Sequence, residues 1–232
     1  MTELKTEAPT AADFYGSIAA EYGALFTDAA SLDENRKVFD IIGLDMWDGE
    51  NILDLGCGLG LLLDYVDVMP SKYMGLDISP QMLAIARKKH PAHLFRLADI
   101  SDHQRLALGV ANTGRRKTQG IGAFGFVVST FGALSYVEDL GALLRDVASL
   151  LHPAGKLFFM VYQDGYQPYT HERYGLTVPH ATYTMQEIRD LIEPDWKRGM
   201  VLDLGDFVGA VGLELEPSRK GDWHDRGYWL GL

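Results

Sequence analysis

The sequence predicts an α/β fold in which helices cover both faces of a mostly parallel sheet. Two observations predict it. From residue 51 onward, short apolar segments alternate with helical ones, which is the pattern of strand–helix–strand units. Glycine or acidic residues follow several of the apolar segments, where parallel sheets bind their ligands at the carboxyl ends of the strands.

Two helices are predicted before the sheet. Residues 12–26 repeat apolar side chains at helical spacing, with Phe14, Ile18 and Tyr22 on one face. Residues 32–42 form the second predicted helix. We expect the N-terminal region, residues 1–45, to lie over the site.

The alternating core covers residues 51–162. The predicted strands are residues 51–55, 73–77, 93–98, 124–129 and 156–162, and the predicted helices are residues 61–68, 79–89 and 138–151. Ser79 is a good N-cap for the second of these helices, and Pro80 suits its first turn. A turn at Pro153, Ala154 and Gly155 precedes the fifth strand.

The remaining chain has a different pattern. Residues 163–183 are irregular and rich in tyrosine and histidine, and we expect them to form a lid or substrate segment. Residues 184–192 are predicted to be a helix. Residues 201–208 and 227–232 are predicted to be two strands without a helix between them, which favours an antiparallel pair at one edge. The whole chain, residues 1–232, is predicted to be a single domain.

Composition excludes several classes of partner. A net charge of −11 repels phosphate backbones and anionic lipid surfaces, so nucleic acid and membranes are disfavoured. The basic cluster at residues 115–117 is expected to be a solvated loop. No apolar run approaches about 20 residues, and the polar start does not resemble a signal peptide. The lone Cys57 fits a reducing cytoplasm and cannot build a thiolate metal site, so no metal is expected.

The strongest local signal is the glycine-rich sequence LDLGCGLG at residues 53–60. Its three glycines follow a buried strand and leave backbone without Cβ atoms, so that a ligand can approach closely. A nicotinamide dinucleotide fingerprint would need its third glycine at position 61, which is Leu61. The motif also lacks the Lys-Ser/Thr pair of a P-loop. Taken alone, such glycines can also serve a tight strand-to-helix turn for purely structural reasons.

Acidic residues follow the next strands. Asp77 lies 17 residues after Gly60 and is placed to accept hydrogen bonds from ribose hydroxyls, with Ile78 positioned against a base. Asp99 follows the third strand, where it can accept from an adenine amino group while the backbone N–H of Ile100 binds a ring nitrogen. Each acid alone could be a helix cap or a solvated charge. Three of them at successive strand ends, counting Asp54, favour a nucleoside site.

These segments together resemble the class I S-adenosylmethionine (SAM)-dependent methyltransferase family. The matching segments are residues 14–22 (FYGSIAAEY), 53–60 (LDLGCGLG), 73–83 (YMGLDISPQML), 126–137 (FVVSTFGALSYV) and 150–156 (LLHPAGK), together with Asp99. Two positions depart from the family pattern: Gly125 stands where an acid is common, and the turn before strand five is Pro-Ala-Gly instead of Pro-Gly-Gly. Both concern strand geometry more than cofactor contact.

The resemblance implies a Rossmann-like three-layer αβα fold whose mostly parallel seven-stranded sheet has an antiparallel last strand. It also implies SAM as cofactor and S-adenosylhomocysteine (SAH) as product. Asp54 would fix the glycine turn and reach the methionine ammonium, Asp77 would bind the ribose, and Arg36 would meet the carboxylate or be a surface helix charge. The complete implied cofactor set is Tyr22, Arg36, Asp54, Gly56, Cys57, Gly58, Gly60, Asp77, Ile78, Met82, Asp99, Ile100 and Ser129.

The function implied by the resemblance is methyl transfer to an N or O atom of a small metabolite or natural-product intermediate. His171, His180 and Tyr15 are the candidate catalytic residues, because imidazoles titrate in the range a general base needs. The alternative for the histidines is that they are exposed loop residues. Two other functions keep the same cofactor motif: a cyclase or lyase acting on SAM, and a SAM-binding accessory protein without turnover. The expected partner is a small molecule, and the expected assembly is a monomer or homodimer.

Overall fold

The computed structural model describes residues 9–42, 49–102 and 124–215. The helices are α1 (Ala11–Leu25), α2 (Ala29–Asp40), α3 (Leu62–Tyr65), α4 (Pro80–Lys89), α5 (Leu140–Leu150), α6 (Tyr169–Tyr174) and α7 (Met185–Ile192). The strands are β1 (Ile52–Leu55), β2 (Tyr73–Asp77), β3 (Leu94–Leu97), β4 (Phe124–Ser129), β5 (Leu151–Tyr162), β6 (Trp196–Asp203) and β7 (Phe207–Leu215).

The seven strands form one sheet in the order β3-β2-β1-β4-β5-β7-β6. Strands β1 to β5 pair in parallel, and β7 is antiparallel to both β5 and β6. This confirms the predicted fold class. Because β1 lies between β2 and β4, the chain reverses its direction of progress across the sheet there, and the carboxyl ends of these strands border a crevice.

Helices cover both faces of the sheet. Alternate residues of a strand face opposite ways, so Leu53 joins one apolar cluster and Ile52 the other. The cluster around Leu53 includes the buried residues of α5 and α7, and the cluster around Ile52 includes Val38 and Phe39 of α2, Leu62 of α3, and Leu83 and Ala86 of α4. The three-layer arrangement therefore has two separate cores, one on each face of the sheet.

Side-chain caps begin the helices that the sequence predicts. The Ser79 hydroxyl accepts a hydrogen bond from the Met82 N–H at 3.2 Å, and Pro80 occupies the first turn of α4. Thr10 and Thr184 form capping boxes at α1 and α7. Each cap satisfies a backbone N–H that has no partner within its helix.

Most predicted elements of the core differ from the structure by only a few residues at their ends, but two differ in extent or kind. The helix predicted for residues 61–68 is only the four-residue α3. The turn predicted at residues 153–155 is a bulge inside β5, because Phe124 pairs with Leu151 whereas Phe126 pairs with Lys156. The strand therefore begins before the bulge and continues after it.

The strand predicted for residues 201–208 is wrong. These residues form the end of β6, a turn and the start of β7. The turn is specified locally, because the Asp203 carboxylate accepts a hydrogen bond from the Gly205 N–H at 3.0 Å and Gly205 has a φ of +78°. The strand predicted for residues 227–232 and the basic cluster at 115–117 lie outside the described residues.

Residues 163–183, which we call the lid segment, contain the short helix α6. The segment is attached to the core at its C-terminal end, since the Ala181 and Tyr183 N–H groups donate to the carbonyl oxygens of Ser135 and Tyr162. The Tyr174 hydroxyl donates to the Glu21 carboxylate at 2.9 Å, which joins the lid segment to α1. In the described part of the chain, no helix combines the length and apolar character needed to cross a bilayer.

Candidate active site

The glycine turn after β1 is held against the end of β2 by backbone hydrogen bonds. The N–H groups of Gly56 and Cys57 donate to the Leu76 carbonyl oxygen at 2.8 and 2.9 Å. Gly56, Gly58 and Gly60 all have positive φ, at +70°, +51° and +78°. L side chains rarely adopt this conformation, which explains why glycine occupies the three positions.

The three glycines differ in what a side chain would meet. A Cβ at Gly56 would lie 2.3 Å from the Ala133 Cβ, and one at Gly60 would lie 3.0 to 3.3 Å from the His90 and Phe95 rings. A Cβ at Gly58 meets no heavy atom of the described residues within 4 Å. Gly56 and Gly60 therefore allow close packing of the protein, whereas Gly58 leaves bare backbone that a ligand can approach.

Asp77 ends β2 beside this turn. Its Oδ2 accepts from the Gly58 N–H and its Oδ1 from the Ser79 N–H, both at 2.8 Å. Burial raises the pKa of Asp77, and the backbone hydrogen bonds oppose that rise. Each carboxylate oxygen keeps a lone pair beyond the bond it already accepts, so Asp77 can also accept from two ligand hydroxyls.

Asp54 is a second acid, 3 % exposed, in β1. The Tyr73 hydroxyl donates to its Oδ2 at 2.8 Å. Burial raises the pKa of Asp54 to about 7, the bond from Tyr73 opposes the rise, and the charge of Asp77 adds to it. A cation brought next to this carboxylate would favour its charged form. Burial, followed by these two acids, likewise raises the pKa of the Cys57 thiol.

Four other predicted cofactor residues lie at or just after the ends of β2, β3 and β4, and Met82 lies in α4. Asp99 is half-buried and its Oδ1 accepts from the N–H and hydroxyl of Ser101, while Ile100 packs on the core. Ile78 is 38 % exposed at the end of β2, whereas Met82 is buried. The buried Ser129 hydroxyl donates to the Leu55 carbonyl oxygen at 2.7 Å and thereby ties the end of β4 to the end of β1.

Tyr22 and Arg36 occupy different environments. Tyr22 is half-buried in α1, and its pKa is raised by burial and then by the charges of Tyr15 and Asp77, which places it near the crevice. The side chain of Arg36 is 62 % exposed and pairs with Asp33 at 3.4 Å on the same helix. Its environment fits the surface helix charge that the sequence left open.

A cluster of tyrosines and histidines lies between α1, the turn after β4, the end of β5 and the lid segment. The Tyr136 hydroxyl is its centre: it is 2.8 Å from the Tyr15 hydroxyl, 3.3 Å from the Tyr162 hydroxyl and 3.1 Å from His171 Nε2. The sequence reasoning did not single out Tyr136. Its place seven residues after Ser129, in the turn that follows a site-forming strand, was the available signal.

The two candidate histidines are brought together, with ring centroids 5.2 Å apart. His171 is 5 % exposed, and burial followed by the proximity of His180 lowers its pKa. His180 is half-buried, and its Nδ1 lies 2.9 Å from the Val178 carbonyl oxygen. A carbonyl oxygen only accepts, so in the neutral imidazole of His180 the proton is on Nδ1 and Nε2 has the unshared electron pair.

The turn between β4 and this cluster is strained. Phe131 has a φ of +52°, which is uncommon for a residue with a side chain. A Cβ on the next residue, Gly132, would lie 2.4 Å from the Tyr162 ring. This conformation brings the chain directly from the end of β4 into the turn that carries Tyr136.

Among the described residues, no group of three histidine, cysteine or acidic side chains is placed to hold a metal ion.

Comparison with known proteins agrees with this geometry. Residues 53–157 match the family model described as a methyltransferase domain. The chain is similar to a ubiquinone biosynthesis O-methyltransferase of Xanthomonas axonopodis pv. citri, with 27 % identity over 183 residues, which are 74 % of this chain and 69 % of that protein.

Solved structures show the same fold. A SAM-dependent methyltransferase of Thermotoga maritima, described as a possible histamine N-methyltransferase, has a TM-score of 0.63 at 14 % identity and covers 86 % of this chain and 97 % of its own. The complex of DhpI with SAH has a TM-score of 0.59 at 20 % identity and covers 87 % of this chain and 93 % of its own. The glycine turn, the strand-end acids, the methyltransferase domain matched over residues 53–157 and these relatives together support a class I SAM-dependent methyltransferase, with SAM as its cofactor.

Proposed function

We propose that this enzyme transfers the methyl group of SAM to a hydroxyl oxygen of a small molecule, and that His180 removes the hydroxyl proton. The observation that carries the proposal is the hydrogen bond between His180 Nδ1 and the Val178 carbonyl oxygen. It fixes the neutral tautomer whose Nε2 can accept a proton. His180 is also the more exposed of the two histidines in the cluster.

The cofactor is assigned to the crevice between the glycine turn and Asp77. The open position above Gly58 admits the adenosyl group against bare backbone, and Asp77 accepts from the ribose hydroxyls. Asp54 attracts the methionine ammonium, because a cation there compensates a buried carboxylate. Asp99 and Ile100 bind the adenine edge, and Ile78 packs on its face. When bound, SAM supplies a methyl group on a positively charged sulfur, which leaves as the neutral thioether of SAH.

The protein supplies position and a base. Tyr15, Tyr136 and Tyr162 form an uncharged aromatic wall beside the histidines. Nε2 of His180 takes the hydroxyl proton as the acceptor oxygen forms its bond to the methyl carbon, and the resulting imidazolium returns that proton to solvent. Holding the oxygen, carbon and sulfur in line supplies much of the rate acceleration.

Two further observations support a small hydroxyl-bearing acceptor. The sequence relatives that match 74 % of the chain are named as O-methyltransferases, so an oxygen acceptor is favoured over nitrogen. The net charge of −11 opposes binding of a polyanion such as nucleic acid. The tyrosine and histidine wall offers neutral hydrogen-bonding groups, as an uncharged aromatic or aliphatic alcohol requires.

The test is incubation of the protein with methyl-labelled SAM and matched sets of phenols, aliphatic alcohols and amines, followed by mass spectrometry. We expect label in a hydroxyl-bearing compound. Label in amines alone would contradict the oxygen acceptor, and conversion of SAM without a labelled acceptor would favour a cyclase or lyase. Binding of SAM without any product from these sets or from metabolite extracts would favour an accessory protein.

A further inference from the structure

We propose that Tyr136 is a positioning residue that holds His171 as a neutral Nε2–H tautomer next to the catalytic His180. The proposal rests on the proposed function for its catalytic consequence. Its structural part concerns only the cofactor-free protein.

The Tyr136 hydroxyl contacts side chains from three other elements of the fold. Tyr136 lies in the turn after β4, Tyr15 in α1, Tyr162 at the end of β5 and His171 in α6. Their polar atoms all lie within 3.3 Å of one hydroxyl. Tyr136 is therefore the point at which three other elements are joined through side chains.

The Tyr136 hydroxyl can form only a limited number of hydrogen bonds. A tyrosine hydroxyl donates one hydrogen bond and accepts two. Its three partners in the protein use all of this capacity, so Tyr136 has none left for an acceptor substrate. Any influence of Tyr136 on catalysis must therefore pass through the residues that it holds.

The two ring nitrogens of His171 have different surroundings. Its Nδ1 is buried and has no hydrogen-bond partner among the described residues. An unpaired buried N–H is rarer in proteins than an unpaired acceptor. The favoured arrangement therefore places the proton on Nε2, which donates to the Tyr136 oxygen, and leaves an electron pair on Nδ1.

His171 lies next to His180, the proposed base. The two imidazole rings lie 5.2 Å apart, and the ring of His171 also contacts Phe14 at 5.2 Å. A charged His171 would repel the imidazolium that forms on His180 during proton transfer. Burial keeps His171 neutral, since it lowers the pKa of that imidazole, and Tyr136 keeps its ring in place.

The test uses Tyr136→Phe, which keeps the aromatic ring and removes the hydroxyl. Long-range ¹H–¹⁵N spectra of the cofactor-free protein report the tautomer of each histidine. In the wild type we expect His171 to be protonated on Nε2, and in the variant we expect its ¹⁵N signals to move toward a mixture of tautomers. With the acceptor found as above, we expect kcat to fall at least about tenfold and its pH profile to shift, while the Kd for SAM changes less than twofold.

The matched control is Tyr174→Phe, which removes a different hydrogen bond of the lid segment, the one to Glu21. We expect this variant to keep the wild-type tautomer of His171 and a kcat within about twofold of the wild type. An equal loss of kcat in both variants would mean that Tyr136 only tethers the lid segment, and would overturn the proposal.

The tautomer of His171 in the wild-type protein is a test that remains even if Tyr136→Phe does not fold. If wild-type His171 proved to be protonated on Nδ1, the proposal would be wrong whether or not Tyr136→Phe folds. The spectra need neither SAM nor an acceptor. A failure to find any methylated product would therefore leave the tautomer result intact, and the two failures are distinguishable.

Discussion

The proposed cofactor side of the site, around the glycine turn and Asp77, and its proposed acceptor side, around Tyr136 and the two histidines, are built in different ways. On the cofactor side, the Asp77 carboxylate binds the Gly58 N–H across 19 positions of sequence, and Tyr73 binds Asp54 across the same separation. On the acceptor side, the Tyr15 and Tyr136 hydroxyls are 121 positions apart, and Tyr174 and Glu21 are 153 apart. The first is one local strand–turn–strand unit, and the second is assembled from the whole fold.

The two sides also differ in which atoms form their surfaces. Backbone N–H groups and bare glycine backbone shape the cofactor side, so only a few side chains are needed there. Side-chain hydroxyls and imidazoles shape the acceptor side, where a substitution alters a surface without altering the fold. This division would allow the acceptor side to change by side-chain substitution while the backbone that forms the cofactor side stays the same.

The largest expected effect separates chemistry from cofactor binding. Replacing both His171 and His180 by alanine should lower kcat at least about 100-fold, because general bases contribute about 10² to 10⁴. The Kd for SAM, measured by calorimetry, should stay within about twofold. The exposed His152, whose Nδ1 accepts from its own turn at Ala154, offers a control as His152→Ala, with wild-type turnover expected. Full turnover of the double variant would show that neither histidine is the general base.

The next effect concerns the cofactor side alone. Asp77→Asn should raise the Kd for SAM about 100-fold, since charge-assisted hydrogen bonds contribute about 1.5–3 kcal/mol and an amide NH₂ would face the Gly58 N–H. Asp203→Asn alters a similar carboxylate that binds a backbone N–H two residues on, at the far edge of the sheet, and should leave the Kd unchanged. Calorimetric titration with SAM and SAH decides, and a change below about threefold would contradict the ribose role of Asp77.

Within the glycine turn, one substitution should mainly weaken SAM binding and another should mainly weaken folding. Gly58→Ala should raise the Kd for SAM about tenfold, because the new Cβ would occupy the space proposed for the ligand and would contact no described residue. The positive φ of Gly58 should also make this variant less stable by about 1–2 kcal/mol. Gly56→Ala should lower the free energy of unfolding by more, since its Cβ would lie 2.3 Å from Ala133. Urea unfolding and calorimetry on both variants measure this. Equal affinity losses would show that Gly58 does not border the ligand.

The smallest effect is a pH dependence of SAM binding. The cation favours charged Asp54, whose pKa is about 7 in the cofactor-free protein, so affinity should rise about threefold from pH 6.5 to 7.5 with release of a proton. The same raised pKa means that Asp54 contributes a loss of folding stability as pH rises from about 4 to about 7. Asp54→Asn should remove the pH dependence of SAM binding and reduce the slope of stability with pH, and a binding slope that survives in this variant would assign the proton elsewhere.

How far the sequence predicts the molecule follows the same division. The strands of the parallel core and the starts of α4 and α7 are recognisable because apolar spacing and caps such as Ser79 and Thr184 act over a few residues. The β6–β7 hairpin was missed because much of β6 is exposed and lacks an apolar pattern. The cue to its turn was Asp203 and Gly205, which were included in a predicted strand.

The sequence by itself determined the class of fold and the resemblance to the methyltransferase family. It also predicted which residues line the crevice after β1 and β2, because neighbouring segments form that crevice and their spacing is visible along the chain. Only the tertiary structure decided that His171 and His180 are adjacent, that Tyr136 joins them to α1, and that Gly58 alone of the three glycines meets open space. These are contacts between distant parts of the chain, and the packing of α1 and the lid segment against the sheet creates them.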